Sequence, residues 1–499
     1  MDKKIWFEPL GMGMNQKVKG TQIKYNESKL LYNISFDKVG VWRSSKGRQL
    51  KATTLSGTGG IDGLMVYKPK GAVDLLIAVA GGNTYRYDGV ETLESVDTST
   101  FTTAYDVMGV NFLNRLYMFS SNQLNSTHYL EGTTVTDFTI KAKYGIVAQD
   151  SLWAGNINGY EDRFYVSRFD EANNIPTHNL YETGQDITTS TRYFLLDGAI
   201  TGGVAFKDSA LGFTKDSVWS MDVRSIGTQR GASKLFDVGT TSNKSIAVDS
   251  KFNSLFFVDG SNGVNMWGGA GDPINISDML IDKTSGVGVI DLIERSNLKK
   301  LAGHCWDGKY YLSLYDLTDT SLEYYQDACL VYDIAGNKWA LRQVPANNWV
   351  TFDEDGEKAL YFGASDTRSI YRYETGDVNE DSEGVESDIT SIIRTKDFCN
   401  EFGNPGVLKT IGDIVVLYSG TGEIEINYSK DGSNQYNELK TPITLAVANA
   451  ERDETIAIKP IGIKCRKISF EIRKTSGTLE IIAIGINYKL HETEGIRPT

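Results

Sequence analysis

Between residues 75 and 373 short apolar runs alternate with polar turns, and one pattern recurs seven times: an apolar strand, a turn, then a second strand often ending in an aromatic. The first copy reads Leu75-Leu76-Ile77-Ala78-Val79, then Gly81-Gly82-Asn83, then Thr84-Tyr85-Arg86-Tyr87. It returns at Arg115-Leu116-Tyr117-Met118-Phe119, at Arg163-Phe164-Tyr165-Val166-Ser167, and at Leu211-Gly212-Phe213 ahead of Val218-Trp219. Later copies are Leu255-Phe256-Phe257-Val258 with Val264-Asn265-Met266-Trp267, and Tyr310-Tyr311-Leu312-Ser313-Leu314 with Leu330-Val331-Tyr332-Asp333. The last is Leu360-Tyr361-Phe362 with Ile370-Tyr371-Arg372-Tyr373. Anchored on Leu76, Leu116, Phe164, Leu211, Leu255, Tyr310 and Leu360, the spacings are 40, 48, 47, 44, 55 and 50 residues. A period of roughly 40–50 residues built from strands alone is the mark of propeller blades. The pattern predicts an all-β chain with a seven-bladed β-propeller over residues 62–375.

Residues 1–61 are irregular and rich in Gly and Lys, with a candidate strand at Leu30-Leu31-Tyr32-Asn33-Ile34, and read as an N-terminal arm. Residues 120–150 and 170–195 are polar and read as long loops leaving a propeller face. The best helical stretch is Val289 to Arg295. From Glu374 to Asp388 seven carboxylates stand among Gly and Ser, which predicts an acidic linker, residues 376–388. Beyond it, Ile414 to Tyr418, Ile424 to Tyr428, Ile456 to Ile458, Ile468 to Ile472 and Leu479 to Ile484 alternate with period 2. Residues 389–499 are therefore expected to form a C-terminal β-sandwich, which residues 1–60 join in one platform.

Hydrophobic content of 40%, with 11% aromatics, supplies enough apolar surface for several cores, and 50 glycines against nine prolines suit many tight turns. The net charge is −13, from 64 acidic and 51 basic residues. Lys299-Lys300 and Arg466-Lys467 are isolated basic pairs, so tight nucleic-acid binding driven by counterion release is not expected. Cys305, Cys329, Cys399 and Cys465 are scattered without a CxxC pair and read as free thiols in a reducing cytosol. Met1 to Pro9 lacks the apolar core of a signal peptide, and the longest apolar runs fall far short of a membrane span. The expectation is a soluble protein made in the cytoplasm, with no stable membrane association.

Several stretches approach known site chemistry without completing it. Ser429 to Tyr436 approaches an aspartate-box turn, but its glycine falls one place early and one copy exists, so it reads as a hairpin with an Asp-Gly loop. His304 beside Cys305 lacks a second ligand pair at metal spacing. His128 and His178 have no nucleophile motif beside them, and Gly11-Met12-Gly13-Met14 and Gly57-Thr58-Gly59-Gly60 lack the ending of a phosphate loop. No catalytic, cofactor-binding or metal residue is assigned, no cofactor is expected, and the chain is not expected to be an enzyme.

Four stretches carry a family resemblance. They are Gly13-Met14-Asn15-Gln16 before Leu30-Leu31-Tyr32-Asn33, Asp162-Arg163-Phe164-Tyr165-Val166-Ser167, Ala199-Ile200-Thr201-Gly202-Gly203 leading to Leu211 through Trp219, and Tyr428-Ser429-Lys430-Asp431-Gly432 with Ile461 to Arg466. Together they resemble the tail hub or nozzle proteins of short-tailed bacteriophages, also called phage stabilisation proteins. The resemblance implies a structural virion protein: a hexameric ring below the portal and its adaptor, lining the DNA ejection channel and carrying fibres or spikes. DNA would pass without sequence-specific binding. Within that picture an acidic lining keeps DNA off the wall over a Debye length of about 10 Å. The alternative is a carbohydrate-binding or glycan-cleaving propeller acting as a receptor-binding module, which needs an aromatic and carboxylate cluster that the sequence does not locate.

Overall fold

The computed structural model describes residues 3–491 apart from 9, 19–20, 25, 38–39, 53–58, 88, 90–92, 99, 102–104, 123, 139, 171–174, 182–185, 224–231, 261–262, 283–286, 289–292, 294–296, 315–327, 403–406, 434, 440–441 and 446–454. The repeated apolar runs fold as antiparallel four-stranded meanders. Their second strands, such as Leu75–Ala80, Arg115–Ser120 and Ser254–Asp259, are buried almost throughout, because each meander is covered on both faces by its neighbours. Cores accordingly lie between meanders: Met65, Ile77 and Val79 pack with Val107, Leu116 and Met118 of the next.

Five meanders occupy residues 63–97, 107–137, 142–195, 200–236 and 247–275, each a sheet of its own. A further blade combines Ala346–Glu354, Glu357–Ala364 and Ile370–Thr375 with an outer strand from before the first repeat, Gly47–Ala52. Six free-standing blades thus replace the seven expected. The remaining repeat, Ala302–Trp306 to Lys338–Gln343, fills the ring position between the fifth meander and the last blade, but it does not end as a blade. Its outer strand meets Ser28–Tyr32 and continues into a fourteen-stranded sheet. The third repeat also differs from its reading: Phe164 lies on a third strand, Tyr160–Val166, whereas the other anchors lie on second strands. Ala52, Ile61, Leu64 and Val66 pack with Phe352, Tyr361 and Ile370, closing the ring of blades.

The C-terminal part is not a sandwich. Lys409–Lys430 and Ile468–Leu490 are single strands of 22 and 23 residues, paired along their whole length in one curled, half-barrel sheet. They bend at bulges near Leu417/Tyr418 and Glu423/Ile424, where Gly420, Gly422 and Gly477 take positive φ. A Cβ on Gly477 would sit 2.2 Å from the Thr421 carbonyl oxygen, so only glycine lets the two backbones approach there. The N-terminal strands complete this sheet: Lys3–Phe7 and Trp42–Ser44 pair with Ile468–Leu490, and Ser28–Tyr32 pairs with Ser391–Thr395. Its hollow is filled by Phe7, Trp42, Phe398, Phe402, Phe470 and their neighbours.

Three further expectations change. Residues 378–388 are not a linker but a hairpin, Val378–Glu380 with Glu386–Asp388, attached to Gly47–Ala52. Residues 120–150 are not one long loop, since they hold His128–Glu131, Thr134–Asp137 and Ala142–Ala148. Between 170 and 195 lie the short strands Ile175–Pro176 and Tyr193–Leu195. The helical stretch from Val289 to Arg295 lies, Ile293 aside, outside the described residues.

Candidate functional site: a polar cluster on the propeller axis

The innermost strand of each blade begins at one face of the propeller, so the residues just before those strands converge on its axis. Asp106 precedes Val107–Phe112, Lys244 lies in the short 3-10 turn Asn243–Ser245 ahead of Ala247–Asp249, and Asn347 opens Ala346–Glu354. Lys244 Nζ donates to Asp106 Oδ1 and to Asn347 Oδ1, both at 2.8 Å. These residues belong to the second, fifth and last blades, which are not neighbours, so Lys244 reaches across the middle of the ring. Its side chain is 13% exposed and that of Asp106 29%.

The turn holding Lys244 is itself fixed. Thr240 Oγ1 donates to the Val258 carbonyl at 2.6 Å and Ser242 Oγ to the Leu301 carbonyl at 2.7 Å. Asn243 Oδ1 accepts from the Gly203 amide at 3.1 Å. Asp62 Oδ2 accepts from the Gly81 amide at 2.9 Å, and burial together with the Asp106 charge raises its carboxyl above the usual range. Burial and Asp106 likewise push the Tyr144 hydroxyl up to about 12. Asp106, Lys244 and Asn347 therefore tie blades together across the axis, with Asp62 and Tyr144 close enough to feel the Asp106 charge. Sequence reasoning missed them, because isolated Asp, Lys and Asn residues in inter-blade turns carry no motif.

A second buried charge group joins the propeller to the curled sheet. Arg342, 1% exposed, donates to Glu374 Oε1, which also accepts from Tyr311 Oη at 2.7 Å. Burial alone would raise the Glu374 carboxyl, but Arg342 outweighs it and holds the group ionised. Nearby, Lys309 Nζ lies 2.6 Å from Asp37 Oδ1. Burial opposes ionisation of Asp37 too, yet Lys309, Ser35 and Arg342 bring it down to about 2. The acidic stretch that looked like a junction thus begins in a buried ion pair.

The residues weighed in the sequence are dispersed. His304 Nε2 hydrogen-bonds Thr351 Oγ1 at 2.8 Å, and burial lowers its pKa to about 4, so it is neutral near pH 7 and a weak base. His178 Nδ1 meets Tyr117 Oη at 2.5 Å between the second and third blades, and His128 packs edge-on against Phe101. Asp431 and Gly432, both at positive φ, form a turn whose Asp431 Oδ1 accepts from the Arg466 amide at 2.7 Å, a structural role. Met14 of the glycine-rich N-terminal stretch donates from its amide to the Trp339 carbonyl, and Gly57-Thr58 lies outside the described residues. The four cysteines are free. Among the described residues no three His, Cys, Asp or Glu side chains gather as metal ligands. Tyrosines do cluster on the rims of the second and third blades, but the Arg115 guanidinium lies over Tyr129 at 4.3 Å, and Arg163 over Tyr160 at 4.6 Å and Tyr193 at 4.3 Å. One face of each ring that a sugar would stack on is thereby taken.

No model of a known protein family matches the chain, and no curated protein sequence does. Among solved structures it is similar to streptogramin B lyase, at 12% identity over 65% of this chain and 97% of that one, with a TM-score of 0.41. Virginiamycin B lyase from Staphylococcus aureus gives 10% identity over 64% and 96%, with a TM-score of 0.42. The extracellular domain of a hybrid two-component system from B. thetaiotaomicron gives 10% identity and a TM-score of 0.41, over 81% of this chain but 48% of that one. The chain thus spans about half the length of that domain. At such identity and overlap these likenesses add nothing to what the strand pairing establishes.

Proposed function

We propose that this chain is a structural, ring-forming virion protein of the tail nozzle or hub type, mounted below a portal and adaptor and surrounding the DNA ejection channel. The observation that carries the reading is the division of labour between the two parts. The blades close on themselves and leave few edges to share, while both ends of the chain are woven into a second sheet built on strands of 22 and 23 residues. A propeller needs no such sheet to be stable, so the sheet is where assembly is expected.

The axis cluster refines the reading. Lys244 spans the propeller from the fifth blade to the second, so DNA would run through the hole of the ring and not through any propeller. The charge of −13 suits such a wall, since each lumen-facing Lys or Arg would add a phosphate contact and slow passage. The test is reconstitution: the purified chain mixed with the portal–adaptor complex should give rings stacked on the adaptor in electron micrographs. Glycan-array binding by a chain that never joins the adaptor would replace this reading with the receptor-binding one.

A further inference from the structure

At one end of the curled sheet four strands lie side by side: Lys3–Phe7, the later part of Ile468–Leu490, the first part of Lys409–Lys430, and Thr455–Cys465. Each is antiparallel to the next, so the two outermost strands run in opposite directions. Among the described residues Lys3–Phe7 has a ladder only to Ile468–Leu490, and Thr455–Cys465 only to Lys409–Lys430. One four-stranded unit thus presents two different edges, facing away from each other. We infer that they are the two halves of a subunit joint: the Thr455–Cys465 edge of one copy adds to the Lys3–Phe7 edge of the next. The inference rests on the ring reading above and says where the ring is joined.

Direction, reach and side chains all fit a second copy of this chain. Placing the next copy's Lys3–Phe7 beside Thr455–Cys465 continues the antiparallel alternation without a reversal. Pro460 has no N–H, so it sits opposite Asp413 with its nitrogen turned away from that strand. Positions of the same parity, 456 and 458, then turn their N–H and C=O outward, opening a run of about five residues, the length of Lys3–Phe7. Trp6, Gly485, Val415 and Ile458 are successive cross-strand partners and share one face. A Cβ on Gly485 would meet the Trp6 ring at 3.1 Å, so the glycine leaves space for the indole along this row. The row ends in two exposed large apolar groups, Trp6 at 38% and Ile458 at 60%. Joining copies brings Ile458 of one against Trp6 of the next and removes both from water. Because the two edges differ, the contact is heterologous, the kind that gives a ring when its rotation closes and a filament when it does not. Lys3, Lys4, Lys464 and Pro460 discourage indiscriminate edge pairing and confine the joint to its short middle.

Cysteines placed at the two sites in the full chain, Trp6→Cys and Ile458→Cys, provide the test. Under mild oxidation at ring-forming concentration the double variant should give a ladder of covalent multimers ending at the ring order. A mixture of the two single variants should stop at dimers, and each alone should match the wild-type background. In parallel, Trp6→Glu and Ile458→Lys should each lower ring formation at least tenfold by mass photometry with unchanged circular dichroism, and combining them should restore rings. Cross-linked dimers of Trp6→Cys alone, or rings indifferent to the charges and without cross-links, would overturn the joint and leave the ring reading standing. A chain that stays monomeric with and without the portal–adaptor complex would overturn both.

Discussion

Single residues set the sharpest expectations. Arg342 is buried against Glu374, and removing one member of such a pair leaves an uncompensated charge in the interior. Arg342→Met should therefore cost about 3–5 kcal/mol in denaturant unfolding, and Arg342→Met with Glu374→Gln should recover a clear part of it. Equal loss in the single and double variants would show that the pair is not what the site needs. His304 provides a pH dependence. Its folded pKa of about 4 lies below the ordinary 6.5, so between these values the unfolded chain binds the proton that the folded one refuses. Stability should fall as pH drops from 6.5 towards 4, by up to about 1.4 kcal/mol per unit from this group. His304→Gln should flatten that slope in thermal melts. Asp37 acts lower on the scale: its folded value of about 2 against 3.8 gives stability that is present above 3.8 and lost as pH falls through 2. Lys309→Met should lower stability above pH 3.8 and flatten its fall between 3.8 and 2 in denaturant unfolding.

Elements show what a sequence displays and what it conceals. Blade strands were legible because burial on both faces demands unbroken apolar runs such as Leu75 to Ala80. The third repeat misled because Ser151–Ile157 and Tyr160–Val166 are both rich in apolar residues, and Arg163-Phe164-Tyr165 looks more like the other anchors. The closing strand Gly47–Ala52, GRQLKA, was invisible, since an outer strand is covered on part of its surface only and carries no alternation. The long strands were read as pairs of short ones: Ile414 to Tyr418 and Ile424 to Tyr428 are two halves of Lys409–Lys430, interrupted by the glycines at its bend. The axis cluster had no signal, because the ring alone brings Asp106, Lys244 and Asn347 together. Gly477→Ala tests the bend. A side chain at φ 70, 2.2 Å from a carbonyl oxygen, should cost at least about 1–3 kcal/mol and lower the melting temperature, whereas Gly462→Ala, at φ 65 with open space around it, should cost less.

For the whole molecule, the hairpin at 378–388 and the ion pair at Glu374 predict that limited proteolysis spares this stretch rather than cutting there first. Early cleavage between 374 and 388 would show that the hairpin opens readily. If the proposed nozzle reading holds, replacing several lumen-facing carboxylates with Lys should slow genome ejection at low salt, and the defect should shrink as salt rises. Deleting residues 1–52 should remove the closing strand of the last blade and four strands of the curled sheet together, giving one cooperative loss of structure. The closing strand also bears on how the protein is made. Leu50 pairs with Tyr371, 321 residues later. On the ribosome this early strand must wait, without its blade partner, until almost the whole propeller has been synthesised, and such distant pairing is slow to form. The sheet end that would meet a second copy waits longer still, since Lys3–Phe7 lies beside the end of Ile468–Leu490. A half-made chain therefore lacks the complete four-stranded end, and under the proposed ring reading only finished polypeptides should join the assembly.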